Sequence, residues 1–210
     1  MDGRISRTME NLKKHNINCF FVKDEREARE KVLELVEPGA SVGMGGSMSV
    51  HSISVVPELE KRNTMFNPYD REGKVDKSKN QTAIRRMGLV ADYFLTGTNS
   101  ITEDGYIVNT DGMGNRVGAI SFGPKKLILV AGVNKLVPDV HGALERIRTI
   151  AAPLNGKRHS WDDIPCATTN DPDCILCISP HRQCNSTLIT HNSRDPERIN
   201  IVLVDKDLGY

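Results

Sequence analysis

The sequence predicts an α/β domain built on a doubly wound parallel sheet, and three observations carry that expectation. Helical and strand-like patterns alternate along the chain without internal repeats. Lys126 to Ala131, KLILVA, is a near-continuous apolar run of the kind that a parallel sheet buries on both faces. From Ala91 to Gly132, glycines and small polar residues lie between two core-type strands, which is the composition of a ligand site at strand ends.

Taken in order, Arg4 to Asn16 sets Ile5, Met9 and Leu12 on one helical face, and Cys19 to Val22 follows as a short buried strand. Asp24 is placed to cap a helix through Val36 that Pro38-Gly39 ends. Ala40 to Met44 reads as the second strand and runs straight into Gly45-Gly46-Ser47 and a further helical segment. The polar stretch FNPYDREGKVDKSK, between Asn63 and Lys79, reads as an excursion or lid. Lys79 to Leu89 is helical by pattern and Tyr93 to Thr96 a strand, while Tyr106 to Asn109 and Val117 to Phe122 read as two more strands. A helix is expected over Val137 to Ala151, and Ile199 to Val204 returns as the last strand.

With 210 residues the chain suits one sizeable domain over 1–210, with a cysteine-rich excursion at 161–186. Its 28 basic and 27 acidic residues form no basic block, so neither a nucleic acid nor an anionic membrane is an expected partner. No apolar run approaches membrane-spanning length and the first residues are polar, so a cytoplasmic location is expected.

The first chemical motif is Gly43-Met44-Gly45-Gly46-Ser47-Met48-Ser49, at a strand-to-helix junction. Amides at such a junction, freed of Cβ hindrance, suit phosphate or carboxylate, with Ser47 or Ser49 adding a hydroxyl. The alternative is a tight turn with serine as helix cap. It is neither a Walker A motif nor a dinucleotide fingerprint, because the lysine and the spacing are missing. His51, one turn on, reads as a helix or core histidine before it reads as a catalyst.

The second motif joins Thr98-Asn99 and Glu103-Asp104-Gly105 to Asn109, Asp111, Asn115 and Arg116. Thr98, Asn99 and Asn115 could bind hydroxyls, Arg116 could clamp an anion bidentately, and Glu103 or Asp111 is the candidate base or nucleophile. Asp104-Gly105 reads better as a hairpin turn.

GMGGS, ADYFLTGTNSITEDGYIVNTDGMGNRVGAISFGPKKLILVAGVNKLVPD and ALERIRTIAAPLN together resemble the lactate-utilisation (LUD) domain family over Asp2 to Asn155. That family belongs with the glucosamine-6-phosphate isomerase-like, ribose-5-phosphate isomerase-like and CoA-transferase-like folds. The resemblance implies a Rossmann-like three-layer α/β/α sandwich with a mostly parallel sheet. It also implies a pocket at the strands' carboxyl ends, where Gly45, Gly46 and Ser47 meet Asp111 to Arg116. The family takes its name from operons for oxidising L-lactate, in which the LUD protein accompanies iron–sulfur oxidoreductase subunits.

The third motif is Cys166-x7-Cys174-x2-Cys177-x6-Cys184, four thiols within 19 residues. Such a set suits zinc or a [4Fe–4S] cluster, with His181 as a substitute ligand, while structural thiols and redox disulfide chemistry stay open. Cys19, in a predicted buried strand, reads as a core residue. Two functions follow. One is binding of, or catalysis on, a small anionic ligand: an organic acid, a sugar phosphate or an acyl-CoA. The other is a non-catalytic metal- or cluster-carrying subunit or ligand sensor in an electron-transfer assembly. Homo-oligomerisation is compatible with both.

Overall fold

In a computed structural model, which describes residues 2–169 and 177–210, the chain begins with α1 (Gly3–Lys14), β1 (Asn18–Val22), α2 (Glu25–Leu35), β2 (Ser41–Met44) and two short helices, α3 (Met48–Ser52) and α4 (Val56–Glu60). It continues through β3 (Thr64–Phe66), α5 (Gln81–Gly88), β4 (Tyr93–Gly97), β5 (Ser100–Thr102), β6 (Ile107–Asp111) and α6 (Asn115–Ser121). β7 (Lys126–Gly132) leads through a 3-10 turn (Val133–Lys135) into β8 (Leu136–Val137). A continuous helical stretch follows, made of α7 (Val140–Arg146), a π turn (Ile147–Ala151) and α8 (Ala152–Arg158). The last elements are α9 (Pro165–Thr168), β9 (Ser186–Thr190) and β10 (Ile199–Val204).

Six strands form a wholly parallel sheet in the order β1-β10-β7-β4-β2-β3. Side chains alternate across a strand, so the unbroken apolar run of β7 feeds two cores at once. Ile128 and Val130 pack with Ala28 and Val32 of α2, Val50 of α3 and Leu59 of α4 on one face. Leu127, Leu129 and Ala131 pack with Ile5 and Leu12 of α1 and Ala119 and Ile120 of α6 on the other. These are the three layers of a Rossmann-like α/β/α sandwich.

The caps follow local chemistry. Asp24 accepts from the Glu27 amide at 2.9 Å and starts α2, as its position predicts. A second, four-stranded sheet in the order β8-β5-β6-β9 lies beside the first, and Ile101, Ile107 and Leu136 join it to the α1 side of the core.

Several elements differ from the sequence reading. Val117 to Phe122 lies in helix α6 and its C-terminal edge rather than in a strand. Asp111 Oδ2 accepts from the amides of Arg116 at 2.8 Å and Val117 at 3.3 Å, supplying the cap that the local pattern VGAISF does not show. The helix expected to end at Ala151 continues through Pro153 to Arg158, because the proline falls in the first turn of α8 just after the π turn, where its missing N–H costs little. β3 replaces the first residues of the expected excursion, and β5, β8 and β9 are additional strands. Glu103-Asp104-Gly105 is a hairpin turn between β5 and β6, with Gly105 at φ +89°. Among the described residues no helix is long and apolar enough to cross a membrane.

Candidate functional site

All six strands of the main sheet point their carboxyl ends at one edge. The chain leaves β2 toward β3 and returns on the other side as β4, so the crevice between the β2 and β4 ends is a switch point of the kind that holds ligands in open α/β sheets. Gly45-Gly46-Ser47 extends from β2 and Thr98-Asn99 from β4.

The three glycines of the first motif have separate tasks. Gly43 lets β2 approach α5, since a methyl there would sit 2.6 Å from the Gly88 Cα. At Gly45 a methyl would meet Thr96 Oγ1 at 2.6 Å and the Arg116 Cγ at 2.8 Å, and at Gly46 it would meet the Tyr69 hydroxyl at 2.9 Å. The Gly45 amide donates to Leu95 O at 3.1 Å, so it is engaged by the protein, and Ser47 Oγ caps α3 by accepting from the Val50 amide at 3.2 Å. The motif's turn geometry therefore makes room for Arg116 and Tyr69.

Arg116 is fixed from the second motif. Its Nη2 donates to Thr110 O at 2.7 Å and to Asn99 Oδ1 at 3.2 Å, while Asn99 Oδ1 also accepts from the Thr110 amide at 2.9 Å. Asn115 is the half-buried first residue of α6, beside it. The Thr98 hydroxyl is buried and donates to Ser100 O at 3.1 Å. Gly45, Gly46, Ser47, Thr98, Asn99, Asp111, Asn115 and Arg116 thus gather at one corner.

Lys135, which sequence reasoning missed, completes this corner. It ends the 3-10 turn after β7, is only 2% exposed, and donates from Nζ to Ser49 Oγ at 2.8 Å and Thr98 O at 3.0 Å. Burial, and then the positive charges of Arg146 and Arg116, push its ammonium down to about 7. Arg146 is itself buried, donating to Asn134 O at 3.1 Å and Asn99 O at 2.8 Å. Burial raises the phenols of Tyr69 and Tyr210, and the Arg116 charge acts against that rise in both. Arg85 flanks Tyr69, and Arg158 flanks Tyr210. Thr96 Oγ1 is buried here without a hydrogen-bond partner. The available signal for Lys135 was its place just past the carboxyl end of the most apolar strand.

The two candidate carboxylates do other work. Asp111 caps α6, as described. Glu103 sits at the opposite end of the β5–β6 hairpin, and Asp111 lies five extended residues beyond Tyr106, about 16 Å at ~3.3 Å each. Its oxygens accept from Arg4 Nε at 2.8 Å and Arg7 Nη2 at 3.0 Å, and Arg7, then Arg4, hold its carboxyl below the usual range. Glu103 is a tether for α1, because both oxygens are taken by helix cations.

Of the four-cysteine motif, Cys174 lies outside the described residues. Cys166 is on α9, and Cys177 and Cys184 precede β9, all three partly buried. A methyl on Gly156 of α8 would meet Ala167 Cβ at 2.8 Å and Gln183 Nε2 at 3.3 Å, so the immediate neighbours of Cys166 and Cys184 converge there. Among the described residues no group of three or more His, Cys, Asp or Glu side chains is placed to hold a metal ion. His181 instead pairs through Nδ1 with Asp163 at 2.9 Å and stacks on Trp161. Cys19 packs on the core, and burial pushes its thiol up to about 12, the inert state expected of a core residue. His51 lies beneath Gly73, where a methyl would be 3.2 Å from its ring.

A parallel sheet with helices on both faces defines a Rossmann-like α/β/α domain, and Lys135, Arg116 and Arg146 near its carboxyl edge make that edge a candidate anion site. The family model described as the LUD domain matches residues 5–204, and the chain belongs to that family. Among solved structures, a DUF162 family protein from Deinococcus radiodurans is similar over 96% of each chain, with a TM-score of 0.53 and 13% identity, a likeness of fold alone. No curated protein sequence matches the chain.

Proposed function

We propose that this LUD domain protein binds a small anionic ligand, an organic acid, sugar phosphate or acyl-CoA, at the carboxyl edge of its sheet, in lactate or organic-acid metabolism. The observation that carries the reading is Lys135, an amine 2% exposed whose acting charges, Arg146 and Arg116, are both positive. Protonating Lys135 beside two guanidiniums is costly, and a bound anion would offset that cost and the repulsion between Arg116 and Arg146. Arg116 supplies a planar fork suited to carboxylate or phosphate. The glycine turn gives the Arg116 side chain the room to pack against it.

Calorimetric titration of the protein with L-lactate, inorganic phosphate and coenzyme A at neutral pH tests this. At least one should bind saturably, and Arg116→Gln should weaken it by about tenfold or more, ~1.4 kcal/mol. Failure of all three to bind, or equal binding to the variant, would sink the reading.

A further inference from the structure

Lys135 stands at the end of a hydrogen-bond chain. The Ser49 hydroxyl donates to Leu208 O at 2.9 Å, so in its contact with Lys135 at 2.8 Å it accepts. Thr98 O, at 3.0 Å, is a second acceptor. A neutral amine has two N–H protons and one lone pair. These two acceptors satisfy both N–H protons of the neutral amine and leave its lone pair over, whereas an ammonium would carry a third proton with no acceptor among the described residues.

The surroundings supply the rest. Burial and the adjacent Arg146 and Arg116 charges favour the uncharged amine near neutral pH. The segment from Lys206 to Gly209 crosses the site: the Leu208 amide donates to Asn134 Oδ1 at 3.1 Å, Asn134 Nδ2 donates to Gly209 O at 3.1 Å, and a methyl on Gly209 would lie 2.7 Å from Ser49 Oγ. That segment covers Ser49 and leaves Lys135 only 2% exposed, which limits the access of water to a hydrolysable bond once formed.

We propose that Lys135 forms an imine with a small carbonyl compound bearing an anionic group, a 2-oxo acid being the smallest, with the anion held by Arg116. The inference rests on the anion site proposed above and names the chemistry that the site adds. The nitrogen lone pair forms the C–N bond as the carbonyl π pair moves onto oxygen. A proton passes from nitrogen to that oxygen, giving the carbinolamine. A second proton, from solvent, lets the oxygen leave as water, and the nitrogen lone pair closes the protonated C=N bond. One water is released and one proton taken up, with no change of oxidation state.

The test is reductive trapping of the full chain with pyruvate as probe and cyanoborohydride, read by intact mass and peptide mapping, beside calorimetry of pyruvate and L-lactate. The expected result is a gain of one reduced pyruvoyl unit on the peptide carrying Lys135, suppressed by excess L-lactate, which has no carbonyl. Labelling spread over surface lysines would overturn the proposal. Saturable binding of pyruvate without an adduct would overturn the imine while leaving the anion site standing. Absence of both adduct and binding would remove the imine, and the anion site with it if inorganic phosphate and coenzyme A also fail to bind. Because mapping locates the adduct in the wild-type chain, no variant need fold for the experiment to decide.

Discussion

Lys135 carries a pH signature that stability measurements can read. Its ammonium sits at about 7 in the folded protein against the usual 10.5. Between those values the unfolded chain holds the extra proton, so this residue's contribution to stability rises with pH across the window. Below about 7 both states are protonated and the full cost of the buried charge is present. Urea denaturation of wild type and Lys135→Met from about pH 7 to about pH 10 should therefore show the difference moving in the wild type's favour as pH rises. A pH-independent difference would mean that Lys135 titrates as an ordinary lysine.

At the scale of elements, the two carboxylates read from sequence as candidate catalysts separate by what they hold together. Asp111 caps α6, and Asp111→Ala should cost about 1 kcal/mol in chemical denaturation. It should also weaken anion binding, because the amide of Arg116 is one of the groups it fixes. Glu103 ties α1 to the β5–β6 hairpin through Arg4 and Arg7. Glu103→Gln should lower the melting temperature slightly and leave the anion affinity unchanged. A variant that kept its melting temperature and lost binding would restore Glu103 to the site.

The cysteine-rich excursion is an element of its own. We propose, from their spacing in the sequence, that Cys166, Cys174, Cys177 and Cys184 share one centre. Anaerobic purification followed by metal analysis should find about one zinc per chain, or about four irons with a matching amount of sulfide. Protein that is metal-free from the first step would end the proposal.

Across the whole molecule, β7 is the strand on which everything depends, because it is interior to the sheet and its two faces serve two cores. Leu129 is fully buried among residues of α1 and α6, and Leu129→Ala should cost about 2–5 kcal/mol in urea denaturation. The same strand delivers Lys135 to the carboxyl edge, so a loss much smaller than this would mean that the α1 layer is not packed as described.

What the sequence by itself determined is the parallel sheet and the glycine turn at its carboxyl edge. LILVA and IVLV are apolar at successive positions because both faces of those strands are covered, and that requirement is written locally, residue by residue. Gly43 to Ser49 is legible for the same reason, since a strand-to-helix turn with close approaches needs glycine and serine in place. The second sheet was not legible, because STLIT pairs with Ile107 to Asp111 across a long intervening stretch and its local pattern favours no partner. Nor was α6, whose cap comes from a carboxylate on the preceding strand. Only the tertiary structure decided that Lys135 is a buried amine beside two guanidiniums, because a lysine's charge state follows from what packs around it, and Ser49, Thr98, Arg116 and Arg146 reach it from four separate segments of the chain.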